Sequence, residues 1–155
     1  MTDRVRGLLI TPDGDLLTIQ RIRLGQDPYW VLPGGGVESG EDLETALARE
    51  LREELAATAE VHSLLHILDH GAERQYFYLA RAQDWSAEPA DRTGPEFTDP
   101  ERGEYHLQPI QLTVPALTAI SLKPDPLADF LLNHLRSGTD LFALPDLRTS
   151  QSTWA

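Results

Sequence analysis

The hydrophobic pattern of this chain is strand-like in most places and helix-like in two. Arg4–Ile10 and Leu16–Arg23 are β-rich runs, and the five residues between them, Thr11-Pro12-Asp13-Gly14-Asp15, are those of a tight turn. The pair therefore reads as a hairpin. Tyr29-Trp30-Val31-Leu32 is a short apolar strand, stopped by Pro33-Gly34-Gly35-Gly36. Ser39-Gly40-Glu41-Asp42 then marks a helix start, with acidic residues at the positive end of the helix dipole. From Asp42 to about Ala56 there are strong helix formers and no glycine or proline. Leu43, Leu47, Leu51 and Leu55 recur at four-residue spacing, the stripe that docks a helix onto a sheet.

Val61–Leu68 and Gln75–Ala82 read as two more strands, joined through Asp69-His70-Gly71-Ala72. From Gln83 to Glu104 the chain turns polar and rich in proline and glycine, a long loop of the kind that serves function or is disordered. Tyr105–Leu112 returns to the sheet. Pro126–Arg136 is an amphipathic helix with Leu127, Phe130, Leu131 and Leu135 on one side and Gly138 just past its end. The tail from Thr139 to Ala155 has scattered apolar residues and no clear period. Neither internal repeats nor a second domain boundary is visible.

Composition narrows the classes. A length of 155 residues suffices for one buried core, and 41% apolar content is ordinary for a globular chain. No run approaches the roughly 20 apolar residues of a membrane span, so no membrane partner is expected. The segment Met1–Val5 carries no apolar export signal. There is no cysteine, which excludes disulfides and thiolate metal sites and fits a cytoplasmic location. The net charge of -12 argues against a long nucleic acid as partner. A small anion remains compatible if metal ions or a few arginines supply local positive charge.

The chemistry concentrates between Gly35 and Ala57. On a helix, positions 50, 53 and 54 fall within an arc of roughly 100°. Glu50, Glu53 and Glu54 thus crowd three carboxylates onto one face beside the leucine stripe. Such like charges repel, and a hard divalent cation with oxygen ligands would offset the repulsion. The plainer alternative is a solvated acidic face neutralised by Arg49 and Arg52. The glycine run alone would be only a turn.

Taken together, the segment resembles the signature of the Nudix hydrolase family, G-x5-E-x7-R-E-U-x-E-E-x-G-U, where U is a bulky aliphatic residue. Gly35, Glu41, Arg49, Glu50, Leu51, Glu53 and Glu54 occupy the constrained positions at the required spacing. The lead-in Trp30-Val31-Leu32-Pro33-Gly34-Gly35-Gly36-Val37-Glu38 is also similar to the family's. Ala56 stands where the family has glycine, and Ala57 where it has a larger aliphatic residue. Alanine in a left-handed helix cap would cost about 1 kcal/mol unless the helix runs on.

The resemblance implies an α/β fold: an α/β/α sandwich with a mixed β-sheet over residues 1–138. Residues 139–155 would form a C-terminal tail that packs on the domain, pairs subunits into a homodimer, or stays mobile. It implies a metal-dependent hydrolase that cleaves a diphosphate linkage in a nucleoside diphosphate derivative or related small phosphorylated substrate, by water attack on phosphorus. The alternative is a non-catalytic nucleotide-binding or regulatory module on the same fold, a version that usually loses the metal glutamates. An isomerase acting on isoprenoid diphosphates would need a reactive cysteine.

By the same resemblance, Glu50 and Glu54 are metal ligands, Glu53 is a third ligand or the general base, and the Gly34 carbonyl faces the metal. The cofactor is Mg²⁺, with Mn²⁺ able to substitute. Glu41 and Arg49 pair to hold the loop against the helix. The base varies in the family, so Glu96, Glu101 and Glu104 in the long loop stand as alternatives to Glu53, each otherwise a solvated side chain. Arg21 and Arg23 share one face of their strand by alternation and are suited to grip a phosphate or carboxylate, or to sit on the surface. Tyr29 is assigned to substrate binding. It is one of four aromatics suited to stacking on a base, with Trp30, Tyr76 and Tyr78, although strand aromatics are more often core. His62, His66 and His70 read as surface histidines rather than a zinc site.

Overall fold

The computed structural model describes residues 2–86 and 103–148. Strand β1 (Thr2–Ile10) is buried along its second half, from Gly7 to Ile10, because residues on both its faces are covered. The turn into β2 (Asp15–Ile22) closes on Thr11. Its N–H donates to the Asp15 carbonyl at 2.8 Å, and its hydroxyl accepts from the Asp15 N–H at 3.0 Å. The two strands pair only at Ile10↔Leu16 and then part, so the hairpin read from sequence is confined to its turn.

Two short strands fill the divergence. β3 (Tyr29–Val31) pairs with Ile19–Arg21 of β2, while β4 (Gly34–Gly36) pairs with Arg4–Arg6 of β1. The glycine run read as a strand stop is therefore itself a strand. Gly34 has φ of +149°, and a Cβ there would collide with the Val5 carbonyl, so only glycine permits this approach.

Helix α1 (Leu43–Leu55) is capped by Asp42, whose carboxylate accepts from the Thr45 N–H at 2.7 Å. It ends at Ala56, which does adopt the left-handed conformation, with φ 47° and ψ 40°. The helix thus stops where glycine would have been easier. Beyond it, β5 (Thr58–His70) and β6 (Glu73–Asp84) form a long antiparallel pair with register shifts near Val61 and Leu64. β7 (Glu104–Gln111) pairs along all of β2, α2 (Val114–Thr118) leads into β8 (Leu122–Lys123), and α3 (Asp125–Arg136) closes the fold. Among the described residues the sheet runs β5-β6-β1-β2-β3-β8, with β4 on β1 and β7 on β2. The β1–β6 and β3–β8 pairs are parallel, so the sheet is mixed.

The sheet is covered on both faces. Leu47, Leu51 and Leu55 of α1 pack on Val5, Leu9 and Leu17. Leu117 of α2 with Leu127 and Leu131 of α3 pack on Leu8, Leu16 and Phe77. Alternation along β1 and β2 delivers odd residues to one layer and even or bulky partners to the other, the two-layer burial of an α/β/α sandwich. Removing each such leucine from water contributes roughly 1.5–3 kcal/mol.

Residues 139–148 lie on this body. Leu141 is buried in the second layer, and Asp146 accepts the Leu64 N–H at 3.0 Å. Arg148 donates to the His62 carbonyl at 2.9 Å and to Glu44 at 3.0 Å. The histidines of β5 are not all surface groups. His66 stacks on Phe130 with ring centroids 4.6 Å apart, and His62 meets Phe142 edge-on at 5.0 Å. No described helix is long and apolar enough to cross a membrane.

Candidate active site

The bend Gly34–Gly36 lies against one side of α1, and the contact is close because the bend has no side chains. A Cβ on Gly35 would stand 2.5 Å from the Glu50 carboxyl carbon. The Gly34 N–H donates to Glu54 at 2.8 Å, and Glu54 is only 6% exposed. A buried carboxylate needs such a donor, since burying a charge without partners is costly.

Arg49 organises the rest. Its Nε and Nη2 donate to the two oxygens of Glu41 at 2.8 and 2.9 Å, and Nη2 also donates to the Gly36 carbonyl at 2.9 Å. Its Nη1 donates to Glu50 at 3.0 Å and lies 3.5 Å from Glu53. One guanidinium therefore ties together the loop before α1, strand β4 and two helix carboxylates. Arg49 hydrogen bonds hold the Glu41 carboxyl down at about 2, helped by the Glu38 N–H, and the same pairing raises Arg49. Arg52, the other neutralising candidate on the helix, is exposed and takes no part.

Gly34, Gly35, Gly36, Glu50 and Glu54 line a cleft of about 390 Å³ that also contains Arg4, Arg6, Arg21, Tyr29, Val31 and Tyr105, while Glu41, Arg49 and Glu53 stand behind its lining. Arg21 lies with its guanidinium carbon 3.7 Å from the Tyr105 ring centroid and 6.0 Å from that of Tyr29. Arg23 follows the end of β2 and is not among the lining residues. Tyr76 and Tyr78 face a different groove, on the outer side of α1. Glu104 is exposed, sits 3.2 Å from His106 and does not line the cleft. Glu96 and Glu101 lie outside the described residues.

A second cavity of about 420 Å³ opens beside the first, lined by Leu32, Phe77, Lys123, Pro124 and Pro126 among others. Arg6 and Val31 line both spaces. Sequence reasoning missed Arg6 and Tyr105. Arg6 alternates with Val5 and Gly7 along β1, which marks a side but not what lies there, and Tyr105 was visible only as an apolar strand position.

Among the described residues no three carboxylate or imidazole groups already converge on a single point at metal-ligand spacing. The donor set is nevertheless all oxygen: two closely placed, largely buried carboxylates, a third one turn away on the same helix face, and backbone of a side-chain-free bend. That chemistry suits a hard divalent ion.

A mixed sheet between helices, with a glutamate-bearing helix against a glycine bend, defines the fold class to which comparison with known proteins can be put. The chain belongs to the NUDIX family, whose domain model matches residues 1–119. Curated relatives share shorter segments. An RNA pyrophosphohydrolase of Caulobacter vibrioides is 44% identical over 52 residues, 34% of this chain and 30% of the relative. A MutT-like protein of Streptomyces ambofaciens is 43% identical over 60 residues, 39% and 37% of the two chains. A nucleoside triphosphatase NudI of Escherichia coli is 73% identical over 26 residues, 17% and 18%. These matches thus span well under half of each relative. In three dimensions, a MutT NUDIX hydrolase from Burkholderia pseudomallei superposes with a TM-score of 0.55 at 27% identity, over 85% of this chain and 95% of that one. MutT studied from Aliivibrio salmonicida and Vibrio cholerae gives a TM-score of 0.64 at 20% identity, over 86% and 98%, a likeness of fold.

Proposed function

We propose that this protein is a metal-dependent hydrolase that cleaves a diphosphate linkage in a small nucleoside diphosphate derivative, by water attack on phosphorus. The observation that carries the reading is the gathering of Glu50, Glu53 and Glu54 against the Gly34–Gly36 bend by Arg49 and the Gly34 N–H. The names of the relatives, which speak of RNA and nucleoside triphosphates, support the same class.

Glu50 and Glu54 would hold the ion, with the Gly34 carbonyl facing it, and Mg²⁺ is the ion this oxygen set favours, Mn²⁺ substituting. When bound, the ion would neutralise anionic phosphate oxygens and acidify water. Glu53 is the general base on this reading. Its side chain is 30% exposed, so it meets solvent while staying beside Glu50 and Glu54. Glu104, 3.2 Å from His106, is the alternative base among the described residues. Glu41 and Arg49 hold the loop and helix in register. Arg21 and Tyr29, with Tyr105, give a cationic and aromatic wall for the substrate's phosphate or organic part, and Arg23, one residue past the end of β2, is a further candidate anion contact. The charge of -12 disfavours a long polyanion, so a free nucleotide is the preferred substrate over an RNA end.

The test is release of phosphate or nucleoside monophosphate with Mg²⁺ across a panel of nucleotides, sugar nucleotides, dinucleotides and 5′-triphosphorylated RNA. Wild type should turn over at least one small substrate and Glu53→Gln should not. No turnover on any diphosphate, with Mg²⁺ or Mn²⁺, would leave a binding module instead.

A further inference from the structure

The arginines in and beside the cleft differ in how far they are already committed. Arg4 gives its Nε to Glu73 at 2.7 Å. Arg49 is spent on Glu41, Glu50 and Gly36. Arg21 lies over the Tyr105 ring. The Arg6 side chain makes one hydrogen bond among the described residues, a long one of 3.4 Å from Nη1 to the Leu32 carbonyl. A guanidinium carries a fork of N–H donors and no acceptor, and in a protein it stays charged. Burial desolvates the Arg6 guanidinium and lowers its pKa; Glu54 and Glu50 work against this, and the neighbouring Arg4 adds to it. Arg6 also lines both the carboxylate cleft and the neighbouring apolar cavity. A fixed cation with most of its donors uncommitted thus stands at the junction of the two spaces, beside the carboxylates that would hold the metal.

We propose that Arg6 is a substrate-binding residue that grips the diphosphate where it passes from the carboxylate cleft towards the second cavity. This rests on the hydrolase reading above. The planar fork matches two phosphate oxygens at once, which an ammonium cannot do. A bound diphosphate would replace the weak Leu32 contact with charge-assisted bonds, and Arg6 would offset negative charge that Glu50 and Glu54 otherwise repel. Nothing in this role requires Arg6 to help bind the metal. A cation next to the ligating carboxylates opposes metal binding, and only the arrival of the phosphate makes it favourable.

That asymmetry gives the experiment. Wild type, Arg6→Met and Arg6→Lys are compared for binding of Mn²⁺ alone, read by the loss of free-ion paramagnetic signal, and of ADP with Mg²⁺, read by calorimetry. KM and kcat are measured on whichever panel nucleotide wild type cleaves, and unfolding midpoints are recorded for all three. Arg6→Met should weaken ADP binding and raise KM by roughly 10- to 100-fold. Its affinity for Mn²⁺ alone should be unchanged or higher, and Arg6→Lys should recover part of the ADP affinity. Equal ADP affinity in wild type and Arg6→Met would overturn the proposal. So would a parallel fall in Mn²⁺ and ADP affinity, which would mark Arg6 as mere support for the carboxylates. If Arg6→Met does not fold, Arg6→Lys alone decides: it should bind ADP more weakly than wild type while its Mn²⁺ affinity stays that of wild type, and equal ADP affinity would overturn the proposal. Wild type that cleaves no diphosphate and takes up no Mn²⁺ would instead sink the hydrolase reading, and Arg6 with it.

Discussion

Arg49 holds Glu41 by two parallel hydrogen bonds of 2.8 and 2.9 Å while donating from its remaining nitrogen to Glu50 at 3.0 Å. The pair therefore couples the loop before α1 to the helix face that carries the proposed chemistry. Lysine cannot reproduce this fork. Arg49→Lys should lower kcat by roughly 10- to 100-fold with little change in KM, because it disturbs positioning rather than substrate contact. Steady-state kinetics on the cleaved nucleotide check it.

The pH behaviour of Glu41 follows from the same bonds. Its folded-state value lies near 2, below the ordinary 4.5, so the folded state binds the proton less well than the unfolded chain. Its contribution is fully present above about pH 5 and is lost as pH falls towards 2. Across neutral pH Glu41 is always ionised. Glu41→Gln should thus depress activity by a constant factor from about pH 6 to pH 9, without moving either limb of the rate profile. A shifted limb would mean that Glu41 itself titrates during turnover.

Gly35→Ala probes the close approach of bend and helix. The added methyl would lie 2.5 Å from the Glu50 carboxyl carbon, nearer than real Cβ contacts come. Either Glu50 or β4 must move. Activity should fall at least roughly 10-fold, while the unfolding midpoint changes much less than a core truncation would move it.

The signature positions and α1 were legible because spacing alone puts Glu50, Glu53 and Glu54 on one face and four leucines beside them. The strand nature of Gly34–Gly36 was not. Glycine has no side chain to show alternation, and its pairing with Arg4–Arg6 is decided by contact with a strand about 30 residues away. Likewise β5 and β6 extend beyond their apolar runs because pairing with each other, not burial, stabilises their ends. Arg6 has no distinguishing signal in its own strand; only the parting of β1 and β2 leaves a cleft beside it. His66 read as a surface group because the strand's own sequence does not show Phe130, which α3 brings over it from more than 60 residues away.

Ala56 occupies the left-handed cap with φ 47°, where its Cβ crowds the backbone. Ala56→Gly should stabilise the fold by about 1 kcal/mol, less whatever the unfolded chain gains in entropy. For a domain of this size that is a rise of roughly 2–4 °C in the calorimetric midpoint. Activity should not change, since the cap lies past the last glutamate.

His66 carries a second pH prediction. Burial against Phe130 and Phe77 lowers its value from 6.5, and both neighbours are uncharged rings. The unfolded state therefore binds the proton more readily, so stability is full above about pH 7 and declines as pH drops through and below 6.5. His66→Phe should remove that part of the acid slope when urea midpoints are compared at about pH 7.5 and pH 5.5. An unchanged slope would place the histidine in water.

Among the described residues β5 pairs only with β6, and its other edge would present unpaired backbone groups. At the middle of that edge two side chains stand in for a neighbouring strand. Asp146 accepts the Leu64 N–H at 3.0 Å, and Arg148 donates to the His62 carbonyl at 2.9 Å. The two also pair with each other at 2.9 Å, which holds Asp146 at about 2 and so ionised at any working pH. Leu64 itself is 3% exposed, so its amide has little access to water if Asp146 is removed. Asp146→Ala should then cost about 1–2 kcal/mol, the penalty of an unsatisfied backbone donor. The matching signs are a midpoint lowered by roughly 2–8 °C and faster hydrogen exchange at Leu64 than in wild type. Asp146→Asn keeps an acceptor oxygen but loses the charge, and should fall between the two. If Leu64 exchanges equally in all three proteins, the edge is guarded by something other than this clasp.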